Sequence, residues 1–116
     1  MKVDRYGVSI TTNASGDFTR IIQSTEGLLY QIKLDIGSLI STTDITLTEV
    51  STGDILYAQT NNTTSFNKYP RILQSSNTDG PILTTPDYIR VQGNLKLTIA
   101  QGGNTTKGDL RILVVR

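Results

Sequence analysis

Apolar and polar residues alternate along most of this 116-residue chain. Leu95, Leu97 and Ile99 alternate with Lys96 and Thr98, and Leu110, Ile112 and Val114 alternate with Arg111 and Leu113. Successive side chains of a strand point to opposite faces, so each run offers one apolar face to a core. The polar, glycine-rich stretch 102–109 between them reads as the loop of a closing hairpin that pins the last strand into a sheet. Earlier, Tyr6, Val8 and Ile10 mark a first strand, and 18–23 a second after the turn Asn13-Ala-Ser-Gly-Asp17. The longest alternating run is 28–36, where Leu28, Tyr30, Ile32, Leu34 and Ile36 are expected to share one face of a central strand.

Segments 44–50 and 54–60 flank Ser51-Thr52-Gly53, a short hairpin connection with glycine where a left-handed residue is wanted. The stretch 37–43 reads as a loop or one short helical turn, and 61–67 as a polar loop carrying Phe66. Proline lacks an N–H, so 68–74, with Tyr69-Pro70-Arg71, reads as an edge strand or irregular extended piece. A long loop over 75–87 precedes a strand at 87–93. About eight strands, spaced by turn signals, predict one all-β domain over 1–116, an antiparallel sandwich of jelly-roll type. Leu28, Tyr30, Ile32, Leu34, Leu47, Leu97, Ile99, Ile112 and Val114 are its expected core, with less than about one-tenth helix.

Composition agrees. Eighteen threonines stand against three alanines and two glutamates, a balance that favours strands over helices. A chain of this length buries roughly two-thirds of its extended surface, so a core forms without staples.

The chemistry is sparse. There is no cysteine, which excludes disulfides and thiol chemistry, and no histidine, the commonest general base and transition-metal ligand. The loop 103–108 imitates a phosphate loop but continues into Asp109 and a strand, not into Lys-Ser/Thr and a helix. Most carboxylates sit in or beside turns, where aspartate bonds nearby backbone N–H groups. Neither a calcium-loop pattern nor a catalytic motif occurs, so no enzyme activity, no metal and no cofactor are expected. The Asn-x-Ser/Thr matches at Asn13, Asn61, Asn62 and Asn104 are ones a threonine-rich chain produces by chance. A net charge of +1 lacks the excess of a nonspecific nucleic-acid binder, and neither a signal segment nor an apolar run of about 20 residues marks a membrane.

Four elements carry a resemblance. They are the strand ending in Asn13-Ala-Ser-Gly-Asp17, the hairpin DITLTEVSTGDILY (44–57), the tripeptide Tyr69-Pro70-Arg71, and DYIRVQGNLKLTIAQGGNTTKGDLRILV (87–114) with its Gln-Gly-Gly-Asn-Thr turn. In this order and spacing the chain resembles a family of short virion-associated proteins of tailed bacteriophages. The resemblance implies a β-sandwich serving as a capsid decoration, or cement, protein. Its partners would be the major capsid protein and further copies of itself, a trimer by preference. It would be made in the bacterial host cytoplasm and end on the capsid surface. The stretch 72–86 departs from the family in having less alanine and glycine.

Tyrosine and arginine are favoured at interface hot spots, and loops and termini are natural contact elements. The expected interface therefore takes Tyr69, Pro70, Arg71, Asp79, Asp87, Lys2 and Arg5, with residues 1–5 ordered only on assembly. The competing reading is a sugar-binding sandwich module of a tail, fibre or connector. An enzyme ranks last.

Overall fold

The structure, a computed structural model, describes residues 2–24, 26–75 and 82–116, with backbone only for 71–75 and 82–88. Ten strands and no helix occur among the described residues: β1 (Val3–Thr11), β2 (Phe18–Ile22), β3 (Gly27–Asp35), β4 (Thr43–Glu49), β5 (Ile55–Asn62), β6 (Phe66–Lys68), β7 (Arg71–Ser75), β8 (Ile82–Val91), β9 (Leu95–Ala100) and β10 (Lys107–Val115). They form two antiparallel sheets. One has the order β1-β10-β3-β8-β7, with β6 also on β3; the other has the order β2-β9-β4-β5.

The pairs β1·β10, β2·β9, β3·β8 and β4·β5 nest one inside the next. The chain is therefore doubled back on itself and rolled, which is the jelly-roll arrangement of two four-strand layers, with β6 and β7 inserted between the fourth and third nested pairs. The core lies between the layers. Val8, Ile10, Leu29, Ile32, Leu34, Leu110, Ile112 and Val114 come from one sheet, and Ile22, Ile45, Leu47, Leu95, Leu97 and Ile99 from the other. Each such side chain is worth about 1.5–3 kcal/mol when fully buried.

Two expected core residues are not in it. Leu28 is 38% exposed and Tyr30 only half-buried, while Leu29 is fully buried. The register explains this. Leu113 pairs with Gln31 but Val114 pairs with Leu29, so Tyr30 is an extra residue in β3. Such a bulge shifts the alternation by one, and the inward set becomes Leu29, Ile32 and Leu34.

The expected closing hairpin is not one: β9 pairs with β2 and β4 and β10 with β1 and β3, so the glycine-rich connection between them crosses from one sheet to the other, and alternation within each strand could not tell a hairpin from a crossing. Other expectations are refined. The expected 37–43 stretch has two turns and no helix, and its last residue, Thr43, opens β4. Phe66 opens β6, a three-residue strand paired to Ile32–Leu34 of β3, rather than lying in a loop. The strand expected at 87–93 begins at Ile82, because its first half pairs with β7. The remaining residues of the expected long loop, 76–81, lie outside the described residues. The N-terminal stretch is not a free arm: β1 pairs with β10 from Val3, the Lys2 and Arg116 backbones exchange two hydrogen bonds, and Arg116 Nε lies 2.7 Å from Asp4 Oδ2.

One end of the roll is locked by three loops. Gly102 N donates to Gly16 O at 2.9 Å, Thr105 N to Asn13 O at 3.1 Å, and Ser38 N to Lys107 O at 2.8 Å. The buried Thr12 hydroxyl donates to Gly103 O and accepts from Thr106 N, both at 2.8 Å. The two loop motifs that carry the resemblance, Asn13–Asp17 and Gln101–Thr105, are thus one interlocked structural unit. Asn13 Oδ1 caps the first of them through the N–H groups of Ser15 and Asp17.

Candidate functional site

Three surfaces stand out among the described residues. The first lies on the outer face of the six-stranded sheet at the β3 bulge. The bulge turns both Tyr30 and Gln31 outward, opposite Leu113. Tyr69, just past β6, meets Tyr30 edge to face, with ring centroids 5.6 Å apart at 86°. Gln31 Nε2 donates to Asn67 Oδ1, and both amide groups approach the Tyr69 hydroxyl at 3.4–3.5 Å. Edge-to-face pairs add about 0.5–1.5 kcal/mol beyond the area they bury, so this cluster fixes the start of the segment leading to β7. Tyr69 is still 49% exposed, and Leu28, two residues before Tyr30 on β3, 38%.

The second surface is charged. Lys33 stands opposite Arg111, and Asp35 opposite Asp109, on neighbouring rows of β3 and β10. Like charges face each other directly and opposite charges lie on the diagonals, so the rows compensate one another. Gly7, with no side chain, leaves a notch beside Arg111; with Ser9 and these four residues it lines an open cavity of about 510 Å³. Asp35 Oδ1 also accepts Gly37 N at 3.3 Å. No group of three or more His, Cys, Asp or Glu side chains that could hold a metal ion exists among the described residues.

The third surface is the outer face of the four-stranded sheet. Register puts Thr19, Thr98, Thr46 and Ala58 in one row across the sheet, and Ile21, Lys96, Thr48 and Ile55 in the next. Of six exposed large apolar side chains among the described residues, Ile21 (48%), Val50 (49%) and Ile55 (65%) belong to this side.

β7 and β8 form a ribbon. Only Ile89, Arg90 and Val91 of β8 pair with β3, whereas its first half pairs with β7 alone. β7 is the last strand of its sheet, as Pro70 just before it suggested. A radius of gyration of 15.1 Å, against about 13 Å for a compact chain of this length, fits a ribbon standing off the body.

The structure brings part of the expected interface together. Tyr69 and Pro70 lead into the ribbon, and Arg71 opens it opposite Tyr88, one register position from the pair Ile72 and Asp87. Arg5 is exposed and pairs with Leu113, which pairs in turn with Gln31, so it shares the outer face of the Tyr30–Tyr69 cluster. Lys2 is exposed at the far edge of that sheet, and Asp79 lies outside the described residues. Tyr30, Gln31 and Asn67 were not among the expected site residues. Only the bulge turns Tyr30 toward Tyr69, and nothing in the alternation announces it.

No protein-family model matches the chain, and no curated protein matches it.

Proposed function

We propose that this chain is a structural virion protein, a capsid decoration protein that binds and stabilises a phage head shell as a homo-oligomer, with the major capsid protein as its partner. The observation that carries the reading is the β7–β8 ribbon leaving a locked jelly-roll body. A two-stranded ribbon is marginal by itself in water. Its outer edge offers backbone N–H and C=O groups to a neighbouring strand, a mode of recognition that uses the backbone for affinity. The Tyr30–Tyr69 contact anchors its root. Many copies, each with a modest contact, hold a shell together through multivalency.

The test is the double substitution Tyr69→Ala plus Arg71→Ala, added to shells that lack the protein. The expected result is a folded protein with reduced occupancy on the shell. Wild-type occupancy by the folded variant contradicts the reading.

A second reading, a sugar-binding module, is favoured by the same cluster: a half-exposed tyrosine beside two side-chain amides is chemistry suited to stacking on and hydrogen-bonding a saccharide. A glycan screen decides it. Binding that Tyr69→Ala abolishes favours this reading, and a blank screen rejects it.

A further inference from the structure

We infer that strand β1 is a self-association edge, on which β1 of a second copy of this chain pairs antiparallel about a two-fold axis at Gly7. The inference does not rest on the virion reading. It starts from the free edges of the two sheets, which end in β1, β7, β2 and β5. β2 and β7 have five residues each, Pro70 stands just before β7, and two register shifts interrupt the pairing of β5. Short, bulged or proline-marked edges are protected from pairing with other chains. β1 has no such protection: its nine residues follow β10 in one unbroken register from Val3 to Thr11. Lys2 and Arg116 exchange backbone hydrogen bonds, and Thr12 N donates to Thr106 O, so the even residues of β1 turn their backbone groups to β10. The backbone groups of Val3, Arg5, Gly7, Ser9 and Thr11 therefore face the open edge.

Gly7 is the middle residue of this edge. Its φ is not in the left-handed region, and a Cβ there would meet nothing within 4 Å. Neither backbone strain nor packing among the described residues requires a glycine here, and glycine weakens a strand interior. A mid-strand glycine marks a place where another backbone approaches closely. A two-fold axis through Gly7, normal to the sheet, sets Gly7 of one copy against Gly7 of the other, Arg5 against Ser9, and Val3 against Thr11. Each is a hydrogen-bonded pair that exchanges two bonds, about ten along the full edge. The affinity comes from this backbone ladder and not from a large buried face, as in strand addition generally. The product is a two-fold dimer, where the resemblance implies a trimer.

The charges fit this register. Arg5 and Asp109 are exposed on the outer face, and neither has an ion pair among the described residues. Within one chain Arg5 pairs with Leu113, four residues from Asp109, or about 13 Å along the strand. Ser9 pairs with Asp109, so in the dimer the row that holds Arg5 of one copy runs on through Ser9 to Asp109 of the other. Successive pair spacings of about 5.5 and 4.5 Å put those two Cα atoms about 10 Å apart, within the combined reach of an arginine and an aspartate lying over small Ser9 and Gly7. The two-fold makes the contact twice, as an isologous interface demands. The two copies of Arg111 stand three strand spacings apart across the paired glycines, about 14 Å, beyond the screening length of about 8 Å at physiological salt. A foreign strand would share the ladder, but a second copy supplies the reciprocal Arg5–Asp109 contact by itself.

Sedimentation of the intact chain across a concentration series, with amide hydrogen exchange on the same samples, tests this. The expected species at high concentration has twice the 12.7 kDa chain mass. The N–H groups of Arg5, Gly7 and Ser9 are expected to gain protection as it forms. Gly7→Pro removes an N–H that faces the open edge and not β10, and proline is tolerated on edge strands. It is expected to weaken pairing by about tenfold or more while the circular dichroism spectrum keeps its β form. Arg5→Glu and Asp109→Arg, each alone, are expected to weaken pairing about fivefold. The chain carrying both restores opposite charges across the axis and is expected to regain pairing. Thr98→Lys, on the outer face of the other sheet, leaves pairing unchanged. A wild-type chain that stays monomeric at hundreds of micromolar overturns the inference. So does a dimer in which the three amides stay unprotected, or a double charge variant no better paired than the singles. These positions are not in the ribbon, so a failed shell-binding test and a failed pairing test are distinct results.

Discussion

Gly16 and Thr12 show how much of this fold rests on single positions. Gly16 has φ +84°, and a Cβ there would lie 2.8 Å from Gly102 N. Gly16→Ala is therefore strained both by its backbone and by the neighbouring loop, and a loss of about 1–3 kcal/mol is expected in denaturant unfolding. Thr12→Val keeps the volume but leaves Gly103 O and Thr106 N without the Thr12 hydroxyl. The cost of leaving such groups unpaired, about 1–3 kcal/mol, is checked in the same experiment. Tyr57 offers a pH test. Burial raises its hydroxyl pKa above the ordinary 10.0. A raised folded-state pKa means that its stabilising effect is complete below pH 10.0 and is lost as pH rises through the folded value. Tyr57→Phe is expected to soften the loss of stability above that pH, measured by unfolding from pH 9 to 11.

At the scale of elements, the β3 bulge is the decisive feature. It buries Leu29 and exposes Leu28. Leu29→Ala is expected to cost about 2–5 kcal/mol, as buried leucines do. Leu28→Ala should stay within about 0.5–1 kcal/mol. The reverse order would mean that strict alternation runs through 28–36 and that no bulge exists. Most strands were legible because each carries its own periodicity: Leu95, Leu97 and Ile99, or Leu110, Ile112 and Val114, need no partner to be read. The bulge was not legible. An extra residue in one strand is defined only against its neighbour, here by Leu113 on Gln31 and Val114 on Leu29. β6 was missed for a similar reason: Phe66-Asn67-Lys68 has too few residues to show a period and exists because β3 has a free edge there. The hairpin at Ser51-Thr52-Gly53 was legible because its signal is local. Gly53 takes φ +76° and its N–H bonds Glu49 O at 2.8 Å.

For the whole molecule, the alternation and turn spacing indicated a sandwich, and pairing supplied the order of its strands. Surfaces were the least legible level. Thr19, Thr46 and Thr98 are far apart in the chain and become one row only through two registers. Tyr69 was singled out by residue type, yet its partner Tyr30 depends on the bulge. The functional reading belongs to this scale too: a jelly-roll body locked at one end, a ribbon leaving it, and two outer faces of opposite character suit a molecule that works by attachment. The proposed role is tested most directly by the number of copies of this chain in a purified phage particle. A shell-decorating role predicts on the order of hundreds of copies, spread over the head at symmetry-related positions. Its absence from the particle, or a handful of copies confined to the tail or connector, would contradict it.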